Sequence, residues 1–71
     1  MDFGAALVVL RNGKHVRRSR WPENVWVGMQ VPDAQSKMGA PYLFINNSDG
    51  NLVPYTPGQD SLLASDWVLE S

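Results

Sequence analysis

Apolar residues at the start of the chain recur at helical spacing, and after Gly13 the spacing drops to two. Phe3, Ala6, Leu7 and Leu10 fall at i, i+3, i+4 and i+7, which predicts a short amphipathic helix. Asp2 is suited to cap its start, and Asn12-Gly13 supplies a left-handed residue to end it. His15 to Trp21 then reads as a strand. Its alternation puts His15, Arg17, Ser19 and Trp21 on one face and Lys14, Val16, Arg18 and Arg20 on the other. Pro22-Glu23-Asn24 makes a turn. Val25, Val27, Met29 and Val31 alternate with Trp26, Gly28 and Gln30, so the valines and Met29 are expected to face the core and Trp26 to face away. Pro32 to Ala40 reads as a loop. Tyr42–Asn46 and Asn51–Tyr55 pair through Asn47-Ser48-Asp49-Gly50, a hairpin connection. Pro54 lacks a donor, so its strand belongs at an edge or a bend. Asp60 is suited to cap one helical turn carrying Leu62 and Leu63, and Trp67–Leu69 forms a last strand. The fold class expected is α+β. One N-terminal helix packs on a small, mainly antiparallel sheet of four to five strands, in a single domain spanning 1–71.

Size changes what this pattern must achieve. A chain of 71 residues buries only about 60% of the surface its unfolded form exposes, so its own core stabilises it marginally. There is no cysteine, which excludes disulfides and Cys-based zinc sites. A single histidine, His15, has no nearby carboxylates with which to assemble a metal site. Self-association is the remaining source of stability, and three tryptophans in so short a chain suit it. A homo-oligomer is therefore expected. No apolar run approaches the roughly 20 residues needed to cross a bilayer. The first residues lack the basic start and apolar stretch of a secretory leader. A cytoplasmic location is expected.

The charges are unevenly placed. Arg11, Lys14, Arg17, Arg18 and Arg20 account for five of six cations, and Trp21 follows them directly. Beyond Lys37 only acidic residues carry charge: Asp49, Asp60, Asp66 and Glu70. Cations beside an indole suit an anion with a flat face, as in a nucleotide, where guanidinium meets phosphate and the ring meets the base. A solvated strand whose charges keep an edge soluble fits the same residues. The net charge of −1 speaks against duplex nucleic acid, which recruits clearly basic domains.

Catalysis finds little support. Ser19 and His15 share a strand face but lie roughly 13 Å apart at the usual rise, too far for a nucleophile and its base. Asp60 and Asp66 suit caps better than an acid–base pair, and the sequence carries no Gly-rich phosphate loop or nucleophile elbow. No cofactor is expected. Trp21 suits either the core or a stacking platform, Trp26 an interface, and Trp67 the core. Arg18 shares a face with Val16, so it must reach solvent or meet an anion. Arg17 and Arg20 suit plain solvated charges. Asn46, Asn47, Ser48 and Asp49 are turn formers first and ligand contacts second.

Four segments in order carry a family resemblance: Asp2-Phe3-Gly4-Ala5-Ala6-Leu7, Gly13 to Trp21, Asp49-Gly50-Asn51-Leu52-Val53-Pro54-Tyr55, and Gln59 to Trp67. The chain resembles the small phage proteins of the second anti-Thoeris type, which block Thoeris immunity by sequestering its signal. The Gln-x-x-Leu-Leu-Ala-x-Asp-Trp stretch is the most specific part, and the likeness spans nearly the whole chain. The resemblance implies a non-catalytic sponge that forms homo-oligomers, typically tetramers, with pockets between subunits. It implies binding of cyclic ADP-ribose isomers, and for some members cyclic oligonucleotides. Carried over by position, it implies Trp21 and Tyr55 for stacking, Arg18 for phosphate, and Asn47, Asp49 and Gln59 for ribose or base edges. Trp26 is an interface or ligand-surface candidate on separate grounds, as a large ring on the non-core face. The chain departs from the pattern at Ala5, where the family usually has Glu, and at Tyr55, where it usually has Trp. The segment between Val31 and Tyr42 is also shorter. Two readings of other classes remain: a single-stranded nucleic-acid-binding module built on the basic strand with Trp21 and Trp26, and a structural phage component that uses its aromatics for assembly alone.

Overall fold

A computed structural model describes residues 1–32 and 39–70. It contains α1 (Phe3–Arg11), β1 (His15–Arg18), β2 (Trp26–Gln30), β3 (Tyr42–Asn46), β4 (Leu52–Pro54), the short α2 (Gln59–Leu62) and β5 (Trp67–Glu70). The strands form one antiparallel sheet in the order β4-β3-β2-β1-β5. The α+β architecture expected from the pattern is the one observed. Most of the Pro32–Ala40 loop lies outside the described residues.

Helix α1 forms as its spacing predicts. The Asp2 carboxylate accepts from the Ala5 amide at 2.8 Å, which satisfies one of the first-turn donors that have no partner within the helix. Asn12 closes the other end, and Gly13 takes a φ of 82° that costs a glycine little. Phe3, Ala6 and Leu10 turn inward onto β1, β5 and β2, where they meet Val16, Val27 and Trp67 in the buried core. Trp67 is fully buried, and its indole N–H donates to the Ser61 carbonyl at 2.9 Å. Every buried side-chain polar atom among the described residues has a partner.

Three local readings are corrected. The first strand ends at Arg18, and Ser19 to Trp21 form a turn closed by the Trp21 amide on the Arg18 carbonyl at 3.0 Å. Val31 is exposed rather than core, because β2 stops at Gln30. Helix α2 is capped by the Gly58 backbone and not by Asp60, which lies inside its first turn. It buries Ser61, while Leu62 and Leu63 point outward. Pro54 does lie on an edge strand, as its missing N–H requires.

The face opposite the helix also has content. Val16 pairs with Val27, so His15, Arg17 and Trp26 lie on this second face of the sheet. Trp26 stacks on His15 with ring centroids 3.8 Å apart and planes 9° from parallel. Phe44 meets Trp26 edge-on at 6.1 Å.

Candidate functional site

The turn that follows β1 carries Trp21 and is fastened on several sides. The Ser19 amide and hydroxyl both donate to Asp66, the amide to its backbone oxygen and the hydroxyl to its carboxylate, each at 3.0 Å. One guanidinium nitrogen of Arg17 lies 3.2–3.3 Å from the carbonyls of Arg18, Ser19 and Trp21. Further along the same connection, Asn24 donates to the Ser48 carbonyl at 3.0 Å, and Asn46 donates to the Asn24 carbonyl at 2.8 Å. The β1–β2 connection is thereby tied to the β3–β4 hairpin.

Trp21 is half-buried. Its ring stands perpendicular to Trp67 at 5.4 Å and to Tyr55 at 6.2 Å. Edge-to-face contacts of this kind are favourable because a positive ring edge meets a negative face. The Arg18 guanidinium lies 6.0 Å from the centre of the Trp67 ring. Of the residues singled out in the sequence, Arg18 and Trp21 therefore meet one core tryptophan, and Tyr55 joins them through Trp21.

Arg18 is 6% exposed. Its Nε donates to Asp66 and a terminal nitrogen reaches the Ser61 hydroxyl at 3.3 Å. The anion that its buried position requires is supplied by the chain itself. The Arg18 hydrogen bond, aided by Ser19 and by the positive charge, holds the Asp66 carboxyl below the usual carboxylate range against the opposing effect of desolvation. A groove of about 550 Å³ opens beside this pair, lined by Arg18, Ser19, Arg20, Asp60, Leu63 and Asp66 among others.

The other residues are placed differently. Asn47 and Asp49 sit in the hairpin turn, where the Asp49 carboxylate accepts from the Asn51 amide and side chain at 3.3 and 3.2 Å. Gln59 is exposed at the first position of α2. Trp26 lies on the opposite side of the sheet from Trp21, stacked on His15. The set thus divides into a cluster around Trp67, a hairpin tip, and a separate outer face. Sequence reasoning took Arg17 for a solvated charge, yet it binds Glu70 at 2.8 Å as well as the turn. No local pattern marks such a pairing, because its partners are distant in the chain.

Among the described residues no group of three His, Cys, Asp or Glu side chains is placed to hold a metal ion, and no helix is long and apolar enough to cross a membrane. Comparison with known proteins adds the family. A model of the Tad2-like, Thoeris anti-defense 2-like, domain matches residues 1–69. A protein of Bacillus phage SP01 named Thoeris anti-defense 2 is 32% identical to this chain over an alignment of 85 positions, covering all of this chain and 96% of the relative. Both spans embrace the Trp21 turn, the hairpin and the Asp66-Trp67 segment, and on them the chain belongs to the Thoeris anti-defense 2-like family.

Proposed function

We propose that this chain is a phage anti-Thoeris protein acting as a sponge in the cytoplasm of the infected cell. It binds a cyclic ADP-ribose-type signalling nucleotide, or a related cyclic oligonucleotide, and holds it without cleaving it. The family match across residues 1–69 carries the reading. The placement of Trp21, Tyr55 and Arg18 supports it, since the two rings stand edge to face and both Trp21 and the Arg18 guanidinium lie against Trp67. Arg18 also lines the open groove, whose lining includes neither Trp21 nor Tyr55.

Trp21 and Tyr55 stack on the base in this reading, while Asn47, Asp49 and Gln59 contact ribose or base edges. A phosphate reaching Arg18 shares it with Asp66, and Arg20 on the rim of the same groove adds a second cation. Nanomolar capture needs about −12 kcal/mol. Each stacked base supplies roughly 1–3 kcal/mol, and each hydrogen bond to a charged group roughly 1.5–3 kcal/mol. Two rings and a few such bonds reach that range only if the pocket is formed before the ligand arrives.

A homo-oligomer, with four copies as the expected number, completes the reading. The half-buried rings of Trp26 and Phe44 opposite the helix support assembly through that side of the sheet, because a sheet with one bare apolar face gains by covering it. The test is capture and release. Purified protein is mixed with cyclic ADP-ribose isomers, freed of unbound ligand, and heated, and the released material is identified by mass spectrometry. Recovery of the intact isomer, lost in Trp21→Ala, is expected. Recovery of a hydrolysed product overturns the sponge. Affinity that rises with the length of an oligonucleotide and falls steeply with salt points to single-stranded nucleic acid instead.

A further inference from the structure

Arg17 pairs with Val68 one position before Arg18, the last residue of the β1 ladder, after which the chain enters the turn that presents Trp21. Its Nε donates to Glu70 at 2.8 Å, and both side chains are about four-fifths buried. Its terminal nitrogen then faces the three carbonyls of Arg18, Ser19 and Trp21 at 3.2, 3.3 and 3.2 Å. Those carbonyls belong to the segment where the β1 ladder ends, and three dipoles aimed at one point repel each other unless a cation sits there. Glu70 lies on β5, directly opposite His15. The pair therefore fastens the turn to the neighbouring edge strand.

We propose that Arg17, anchored by Glu70, is a positioning residue that sets the orientation of the Trp21 ring and thereby the affinity of the stacking site. The proposal deepens the nucleotide-binding reading and rests on it for its functional half. The geometry requires an arginine. A guanidinium carries several donors in one rigid plane, so one nitrogen engages the carboxylate while another gathers the carbonyls. A lysine ammonium is a single point and cannot sit in both places. The Trp21 amide is bonded within this turn, so its exchange with solvent reports whether the turn stays closed.

The test uses the full chain and its Arg17→Lys variant, with Arg11→Lys on the outside of α1 as the control. Amide exchange at Trp21 and Ser19 is read by NMR without ligand. The dissociation constant for cyclic ADP-ribose isomers is read by calorimetry. Arg17→Lys keeps the charge and is expected to speed Trp21 exchange at least tenfold and to weaken binding about tenfold, while Arg11→Lys changes neither. Glu70→Gln keeps the guanidinium and only loosens its anchor, so it gives a smaller change in the same direction and replaces Arg17→Lys if that variant does not fold. Unchanged exchange in the variant overturns the proposal. Faster exchange with unchanged affinity overturns its functional half. A wild-type protein that binds none of the isomers refutes the nucleotide reading, and the exchange rates still decide whether Arg17 holds the turn.

Discussion

Phe44 lies across Gly28. The two are direct partners on β3 and β2, and a methyl group added to Gly28 would stand 2.6 Å from the tip of the ring and 3.1 Å from the atoms on either side. The glycine is what lets the ring lie flat on the sheet. From there the ring meets Trp26, which in turn stacks on His15. One missing side chain thereby sets the packing of three rings on the face away from the helix.

Gly28→Ala is therefore expected to destabilise the fold by about 1–3 kcal/mol, the usual range for an overpacked contact. The ring must swing off β2 and lose its contact with Trp26. Urea unfolding measures the cost. Adding Phe44→Leu to the alanine variant removes the collision, so the pair of changes should cost less than the sum of each alone. Additive costs would mean that the ring had not been resting on the glycine.

Asp66 makes stability depend on acid. Its carboxyl titrates below the usual value chiefly because Arg18 donates to it in the folded state. A group whose folded pKa is lowered favours the folded state above its unfolded pKa, near 4, and this contribution disappears as pH falls through the folded value. Wild type should therefore exceed Asp66→Asn in stability at pH 6, and the gap should close as the solution is taken below pH 4. Urea midpoints of both proteins at pH 6 and in acid check this. A gap that is the same at both pH values would remove Asp66 from the acid response.

The α+β outline was readable because it rests on periodicity. Helix α1, β3 and the edge position of Pro54 follow from local spacing and backbone chemistry alone. The end of β1 was not readable, since the alternation of His15 to Trp21 continues past Arg18 while the ladder stops. What stops it is the tertiary bonding of Ser19 to Asp66 and of Arg17 to Glu70, across 47 and 53 positions of chain. The same distance hid the partner of Arg18. Its burial could be inferred from its place beside Val16, and the requirement for an anion followed, but whether that anion was a ligand or Asp66 depends on how β5 returns beside β1. Exposed Leu62 and Leu63 escaped for a related reason: in a helix of four residues no face is repeated, so apolar spacing carries no direction.

Trp67 links the core to the candidate site, and its two functions can be separated. Trp67→Phe keeps a ring against Phe3 and Trp21 but leaves the Ser61 carbonyl only the long bond from the Ala64 amide at 3.4 Å. The loss of the indole bond and of part of the ring volume is expected to cost about 1–3 kcal/mol, since a hydrogen bond contributes about 0.5–1.5 kcal/mol and the cavity adds to it. Thermal unfolding reads the total. Trp21 fluorescence should shift as well, because its neighbouring ring is smaller. A variant as stable as wild type would show that the indole bond to Ser61 contributes nothing.

Asn24 and Asn46 tie together the connection that carries Trp21 and the hairpin that carries Asn47 and Asp49. Each bond runs from a side-chain amide to a backbone carbonyl, Asn24 to Ser48 and Asn46 to Asn24. Both sites are close to solvent, so each bond is worth about 1 kcal/mol. Asn24→Ala removes the first bond but leaves its own carbonyl for Asn46, and Asn46→Ala removes the second while sparing the first. Both bonds hold the same two loops, so losing one frees the loops to drift and weakens the other. The double variant is then expected to cost less than the two single costs added together, by about 0.5 kcal/mol or more, as coupled neighbours do. Faster exchange of the Val25 and Gly50 amides, each bonded within one of the two loops, should accompany it. Strict additivity with unchanged exchange would mean that the loops keep their places without the asparagines.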